Sequence, residues 1–273
     1  MLFKKTFFLA IVTALLATTC KKAAPATVLP GDDPNFTIVA HSDTGYKATN
    51  RKIVVFGIPI YAYAAVEDSK LIHAANIMAQ YLDNNEDGTI DNTTLVDALV
   101  SNNAALFLWK SESQININAQ DLGADESIPT WHTNGHTGRF DAALEEVWHV
   151  ITHSGYANAY PAVFGEGADT ALTRAMDIAR GGHFTSIPNP YPANAWYTYD
   201  DQTCSYDCMS TEYIYWGLTS ILGAQENRVE EIQQEWDLNT RALVQNTDAA
   251  LYALLTDPQY HFPTVLPDGT YRQ

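Results

Sequence analysis

Three cysteines in 273 residues leave too few thiols for a cysteine-ligated zinc site. Basic residues are also scarce. Only 15 Lys and Arg stand against 32 Asp and Glu, a formal charge of −17, which argues against nucleic acid and favours cations or a saline exterior. No long hydrophobic run is present: the longest near the N-terminus, residues 7–16, is too short to span a bilayer permanently. No internal repeat is apparent. What the chain does hold is 46% apolar residues with many Tyr and Trp, ample for a core.

Lys4 and Lys5 followed by the apolar run read as an export signal over residues 1–19. It ends at Leu16-Ala17-Thr18-Thr19-Cys20, which resembles a bacterial lipoprotein box. The resemblance implies an acylated Cys20 as mature N-terminus, a cell-envelope location and membrane contact through the lipid anchor alone. Ordinary cleavage after Ala26, giving a secreted protein, is the alternative. Residues 20–35, rich in proline, read as anchor and linker. Setting Cys20 aside leaves Cys204 and Cys208, an even pair expected to form a local disulfide in an oxidising compartment.

The remainder, 36–273, is expected to form a single globular domain with lobes 36–110 and 111–273. Alternation predicts strands over 36–40 and 52–56, with 58–64 either completing a hairpin or leading into a helix, then helices over 68–82 and 93–101 and a short strand over 105–109. Residues 111–136 read as loop, with Asn134-Gly135 as a turn. Helices are expected over 140–153, ending at Gly155, over 169–180 before Gly181-Gly182, and from a Ser210 cap through 222. Two or three more are expected between 226 and 256. Early strands and late helices indicate an α+β fold dominated by helix.

Residues 83–91 carry oxygen donors at Asp83, Asn85, Asp87 and Asp91, a backbone carbonyl at Thr89, and Gly88 where the chain must turn sharply. With predicted helices on both sides, this stretch resembles an EF-hand loop, and the resemblance implies calcium. Thr94 replaces the bidentate Glu at position twelve. That loss implies a static clamp filled by millimolar extracellular calcium rather than a sensor, with Asp97 or water completing the shell.

Glu145-Glu146-Val147-Trp148-His149-Val150-Ile151-Thr152-His153 places two histidines four apart, one helical turn from each other, so both imidazoles can reach one metal ion. Zinc hydrolases use that spacing, with a catalytic Glu after the first His. Here Val150 stands at that place, and Glu146, three residues before His149, is the nearest substitute base. Strand, His-x-x-x-His helix and a later Glu-bearing helix together resemble zincin metallopeptidases of the Glu-ligand type. That resemblance implies zinc on His149, His153 and Glu212, with Tyr213 or Tyr215 polarising a carbonyl. Glu166, Asp169 and His183 are alternative ligands. His73 is expected to be structural, and His132 and His136 to lie in a loop. The aromatic passage 191–206 would suit sugar rings or peptide side chains if exposed, although such residues more often bury.

Three functions follow as expectations. The first is an exported calcium-binding protein with a zinc centre, a peptidase-like metallohydrolase. The second is a non-catalytic, calcium-stabilised extracellular module for polysaccharide or protein. The third is a degenerate zincin-like fold that has lost activity.

Overall fold

The computed structural model describes residues 35–272, so the expected signal, Cys20 and nearly all of the expected linker lie outside the described residues. The fold is α+β and helix-dominated, with a small sheet built from the first half of the chain. Strands β1 (Val39–Ala40), β2 (Arg51–Val55), β3 (Ile58–Ala62), β4 (Leu106–Trp109) and β5 (Gln120–Gly123) lie in sequence order across it. The first three pair antiparallel, and β3, β4 and β5 run parallel. The β2–β3 hairpin turns on Phe56 and Gly57, whose φ angles of 45° and 91° suit the mirror-image turn that matches strand twist.

Parallel pairing needs a long crossover. Between β3 and β4 it is supplied by α1 (Asp68–Leu82), the 83–92 loop and α2 (Thr93–Ser101), whose N-cap Asn92 accepts from Leu95 N–H. Strand β5 lies where the sequence reads as loop. Its QDLG has one strong apolar residue, Leu122, so pairing with β4 rather than patterning creates the strand. A short helix α3 (Thr130–Thr133) follows in the same stretch.

Helix α4 (Ala143–Val150) buries Ala143, Leu144, Val147, Trp148 and Val150, and packs on α1, β4 and β5. The chain does not stop at Gly155 as expected. It widens into a π-helical turn over Ile151–Tyr156 and continues through α5 (Ala157–Ala159) and α6 (Pro161–Phe164). Gly155 sits where a Cβ would come within 2.6 Å of Leu95 Cδ1, so the wide turn is pressed directly onto α2. Helix α7 (Ala171–Ala179) is closed at its start by a Thr170–Thr173 capping box.

Helix α8 (Tyr206–Ile221) is almost wholly buried among α4, α7, α10 (Arg241–Thr247) and α11 (Ala249–Leu255). Its N-cap is Ser205; Ser210, expected as the cap, lies inside because helix begins one turn earlier. Helix α9 (Val229–Ile232) is a single turn. Cys204 and Cys208 are disulfide-bonded across the start of α8.

The two expected lobes interlock. Strand β5 from the second completes the sheet of the first, and the C-terminal tail returns to the 83–91 loop through Asn84, Gln80 and Asp83. No helix among the described residues is long and apolar enough to cross a membrane.

Candidate metal centre

Helix α4 projects Glu145, Glu146 and His149 from one turn, and their ligand atoms lie within 4.8 Å of one another, an arrangement that could hold a metal ion. Helix α8 brings Glu212 opposite: its Oε2 stands 3.4 Å from His149 Nε2, which is buried and makes no hydrogen bond. On the other side of the ring, Nδ1 faces Glu146 Oε2 at 3.6 Å. Gln120 of β5 donates to that same Glu146 oxygen at 2.5 Å. Tyr215 of α8 packs edge-on to the His149 ring, 5.6 Å between centroids. Both His149 and Glu212 are less than a tenth exposed.

The electrostatics follow from three carboxylates around one imidazole. Burial alone would lower the His149 pKa, but the charges of Glu212 and Glu146 outweigh it and hold the ring well above its ordinary value. Burial, reinforced by repulsion from Glu212 and Glu146, pushes Glu145 up to about 8. Such a pocket of excess negative charge is stabilised by any bound cation.

His153 is placed differently. It lies in the π-helical turn with a side chain 64% exposed, and its Nδ1 pairs with Glu166 Oε2 at 2.8 Å. Hydrogen bonding to Glu166 raises its pKa despite partial burial. Thr211, beside Glu212, donates to the other Glu166 oxygen at 2.8 Å. The ligand group around His149 thus contains Glu145 and Glu146 rather than His153, because the helix ceases to be α just where the i, i+4 argument needs it. A shallow surface depression of about 500 Å³ is lined by His153, Glu166, Ser154 and Asn158 among others.

Two expected roles need correction. Tyr213 cannot polarise a substrate carbonyl here: it is fully buried and its hydroxyl donates to Asp248. Tyr215, two residues on, is the tyrosine that faces the centre. Glu146 does not stand free as the expected base would: its Oε2 accepts from Gln120 and faces His149 Nδ1. Among the alternative ligands, Glu166 holds His153, Asp169 adopts a left-handed φ of 69° in the loop before α7, and His183 pairs with Asp177 at 2.8 Å. The aromatic passage is mixed: Tyr197 is buried and donates to Met209 O, whereas Trp196, Tyr199 and Tyr206 are half-buried.

The 83–91 loop runs between α1 and α2. Asp83 is fully buried and accepts from Asp87 N and Gly88 N at 3.2 and 2.8 Å; Asp87 Oδ1 accepts from Thr89 N at 2.8 Å. Asn85 Oδ1 accepts from Asp87 N at 3.0 Å, and Asp91 Oδ2 accepts from Asn84 N at 2.7 Å. Gly88 takes φ 84°, which a side chain would strain. Tyr271 from the tail donates to Asp83 Oδ2. Thr94 and Asp97 are exposed.

A second group, absent from the sequence reading, consists of His73, His132 and Asp141. Asp141 accepts from both imidazoles, 68 and 9 residues away, and nothing in the spacing announces it. His136, four residues past His132, stacks instead on Trp131 at 4.3 Å.

The site defines an α+β protein with buried histidine–carboxylate groups able to hold a metal. No known protein family, curated protein or solved structure matches the chain.

Proposed function

We propose that this chain is an exported, calcium-stabilised metalloprotein whose α4–α8 centre carries out peptidase-like, metal-assisted hydrolysis. The observation that carries the reading is the bare, buried Nε2 of His149 set 3.4 Å from Glu212 Oε2. Ligand atoms around a tetrahedral zinc, each about 2.0–2.1 Å from the ion, stand roughly that far apart.

A second regularity supports it. Both histidines of the motif turn Nδ1 toward a carboxylate, His149 toward Glu146 and His153 toward Glu166. For His149, displacement of the Nε2 proton by a metal would leave the Nδ1 proton facing Glu146, the usual arrangement behind a metal-bound imidazole. A bound zinc ion would polarise a carbonyl and lower the pKa of water. Of the chain's own residues, Gln120 and Glu146 orient His149, Thr211 and Glu166 hold His153 at the surface, and Glu145 is the remaining carboxylate of the group. In the EF-hand-like loop, calcium would join α1 to α2 through Asp83, Asn85, Asp87, the Thr89 carbonyl and Asp91.

The near-complete burial of His149 and Glu212 favours one competing reading, a degenerate zincin-like fold that keeps its metal only for structure. Elemental analysis and peptide-library turnover separate the two. The hydrolase reading expects stoichiometric zinc in gently purified protein, and turnover lost in His149→Ala. Zinc without turnover on any peptide supports the degenerate fold, and calcium alone removes both zinc readings.

A further inference from the structure

A second buried histidine–carboxylate group shares no residue with the α4–α8 centre. His73 comes from α1, His132 from α3 and Asp141 from the turn before α4. Nε2 of each imidazole stands 2.7 and 2.8 Å from one oxygen, Asp141 Oδ2. The Asp141 side chain is 0% exposed, His132 2% and His73 5%. The other carboxylate oxygen accepts from Ile128 N at 2.7 Å.

A carboxylate removed from water needs a countercharge. Among the described residues no Lys or Arg pairs with Asp141; its only ion-pair partners are the two imidazoles. Neutral imidazoles donate hydrogen bonds but supply no charge. Either one ring carries an extra proton, or a cation takes the place of the protons between them.

Buried polar atoms without a partner also gather in the segment that supplies His132. Eight buried side-chain polar atoms among the described residues have no partner, and three of them, Ser127 Oγ, Trp131 Nε1 and His132 Nδ1, fall in one six-residue stretch. That stretch also contains Ile128, which binds Asp141. Polar groups this deeply buried are normally satisfied by protein, water or an ion. The C-terminal tail seals the region: a Cβ on Gly269 would lie 2.1 Å from His73 Cε1, so only bare backbone can pass over the ring.

We propose that His73, His132 and Asp141 form a second, structural site for a borderline divalent cation of the zinc type. Two imidazoles and one carboxylate are ligands such an ion accepts, its double positive charge more than offsets the single carboxylate, and the 2.7 and 2.8 Å contacts would open toward zinc-ligand spacing when it binds. The ion would staple α1, α3 and the start of α4, three segments otherwise joined here by hydrogen bonds to a single side chain. The site is independent of the α4–α8 centre.

The test uses full-length protein carrying His149→Ala and His153→Ala, stripped with chelator and reloaded with calcium, then titrated with Zn2+ while bound metal and melting temperature are read. One equivalent of retained zinc with a rise in melting temperature is expected, and adding Asp141→Asn should abolish both while the calcium response persists. Co2+ in the same double variant should give a visible d–d spectrum. If the double variant holds no zinc and its melting temperature does not move, the site is overturned and the group is bridged by a proton. Zinc retained in a folded Asp141→Asn variant also overturns it. Should Asp141→Asn fail to fold, the titration of the double variant still decides.

Discussion

Glu235 illustrates how much of this molecule's behaviour follows from acids held close together. Burial, together with repulsion from Asp200 and Glu212, pushes its pKa up from 4.5 to about 7. An acid whose folded pKa is raised binds its proton more tightly when folded, so its stabilising contribution holds at low pH and is lost as pH rises between those two values. Glu235→Gln is therefore expected to raise the melting temperature above pH 7 and to change little below about pH 4.5, measured as thermal unfolding against pH. Tyr271 makes the opposite kind of contact, a hydroxyl donated to the buried carboxylate of Asp83. Hydrogen bonds to charged groups contribute about 1.5–3 kcal/mol, and Tyr271→Phe should cost about that much in calcium-free urea unfolding.

The π-helical turn governs what α4 can do. The spacing of His149 and His153 promises one face of a regular helix, and the chain keeps that promise only as far as Val150. Beyond it the backbone widens, Gly155 meets Leu95 and Leu99, and His153 emerges beside Glu166. Gly155→Ala would force a methyl group to within 2.6 Å of Leu95 Cδ1, and overpacking of this kind costs about 1–3 kcal/mol. A chemical-denaturation midpoint equal to wild type would show that α2 and the turn can separate at no cost. The disulfide at the head of α8 acts more gently: a loop this short restricts the unfolded chain by about 2 kcal/mol, the loss expected on replacing both Cys204 and Cys208 by Ser.

Taken whole, the protein is tied together at the 83–91 loop, where α1, α2 and the C-terminal tail meet. Asn84 alone accepts from Thr264 N and Val265 N and donates to Val265 O. Calcium that binds only the folded loop would stabilise the entire chain, by about 2.7 kcal/mol at a hundredfold excess over Kd. Wild-type protein is expected to melt higher with calcium than with chelator, and Asp87→Ala to lose that difference. Equal melting in both conditions would remove calcium from the account.

The helix-dominated α+β class, the boundaries of α1 and α2, the β2–β3 hairpin and the Cys204–Cys208 pair were legible from residue order, because each depends on neighbours within about one turn or one hairpin. The meeting of His149 with Glu212 was legible only as two candidate residues without a geometry. Strand β5, the orienting hold of Gln120 on Glu146, the departure of His153 and the His73–His132–Asp141 group were not legible at all. Each joins segments far apart along the chain, and local propensity carries no information about which distant surface a side chain will face. Sequence alone determined an acidic chain with metal-ligand residue types at helical spacing. Tertiary packing, by burying some carboxylates together and widening one helix at Ile151, decided which of those residues share a site.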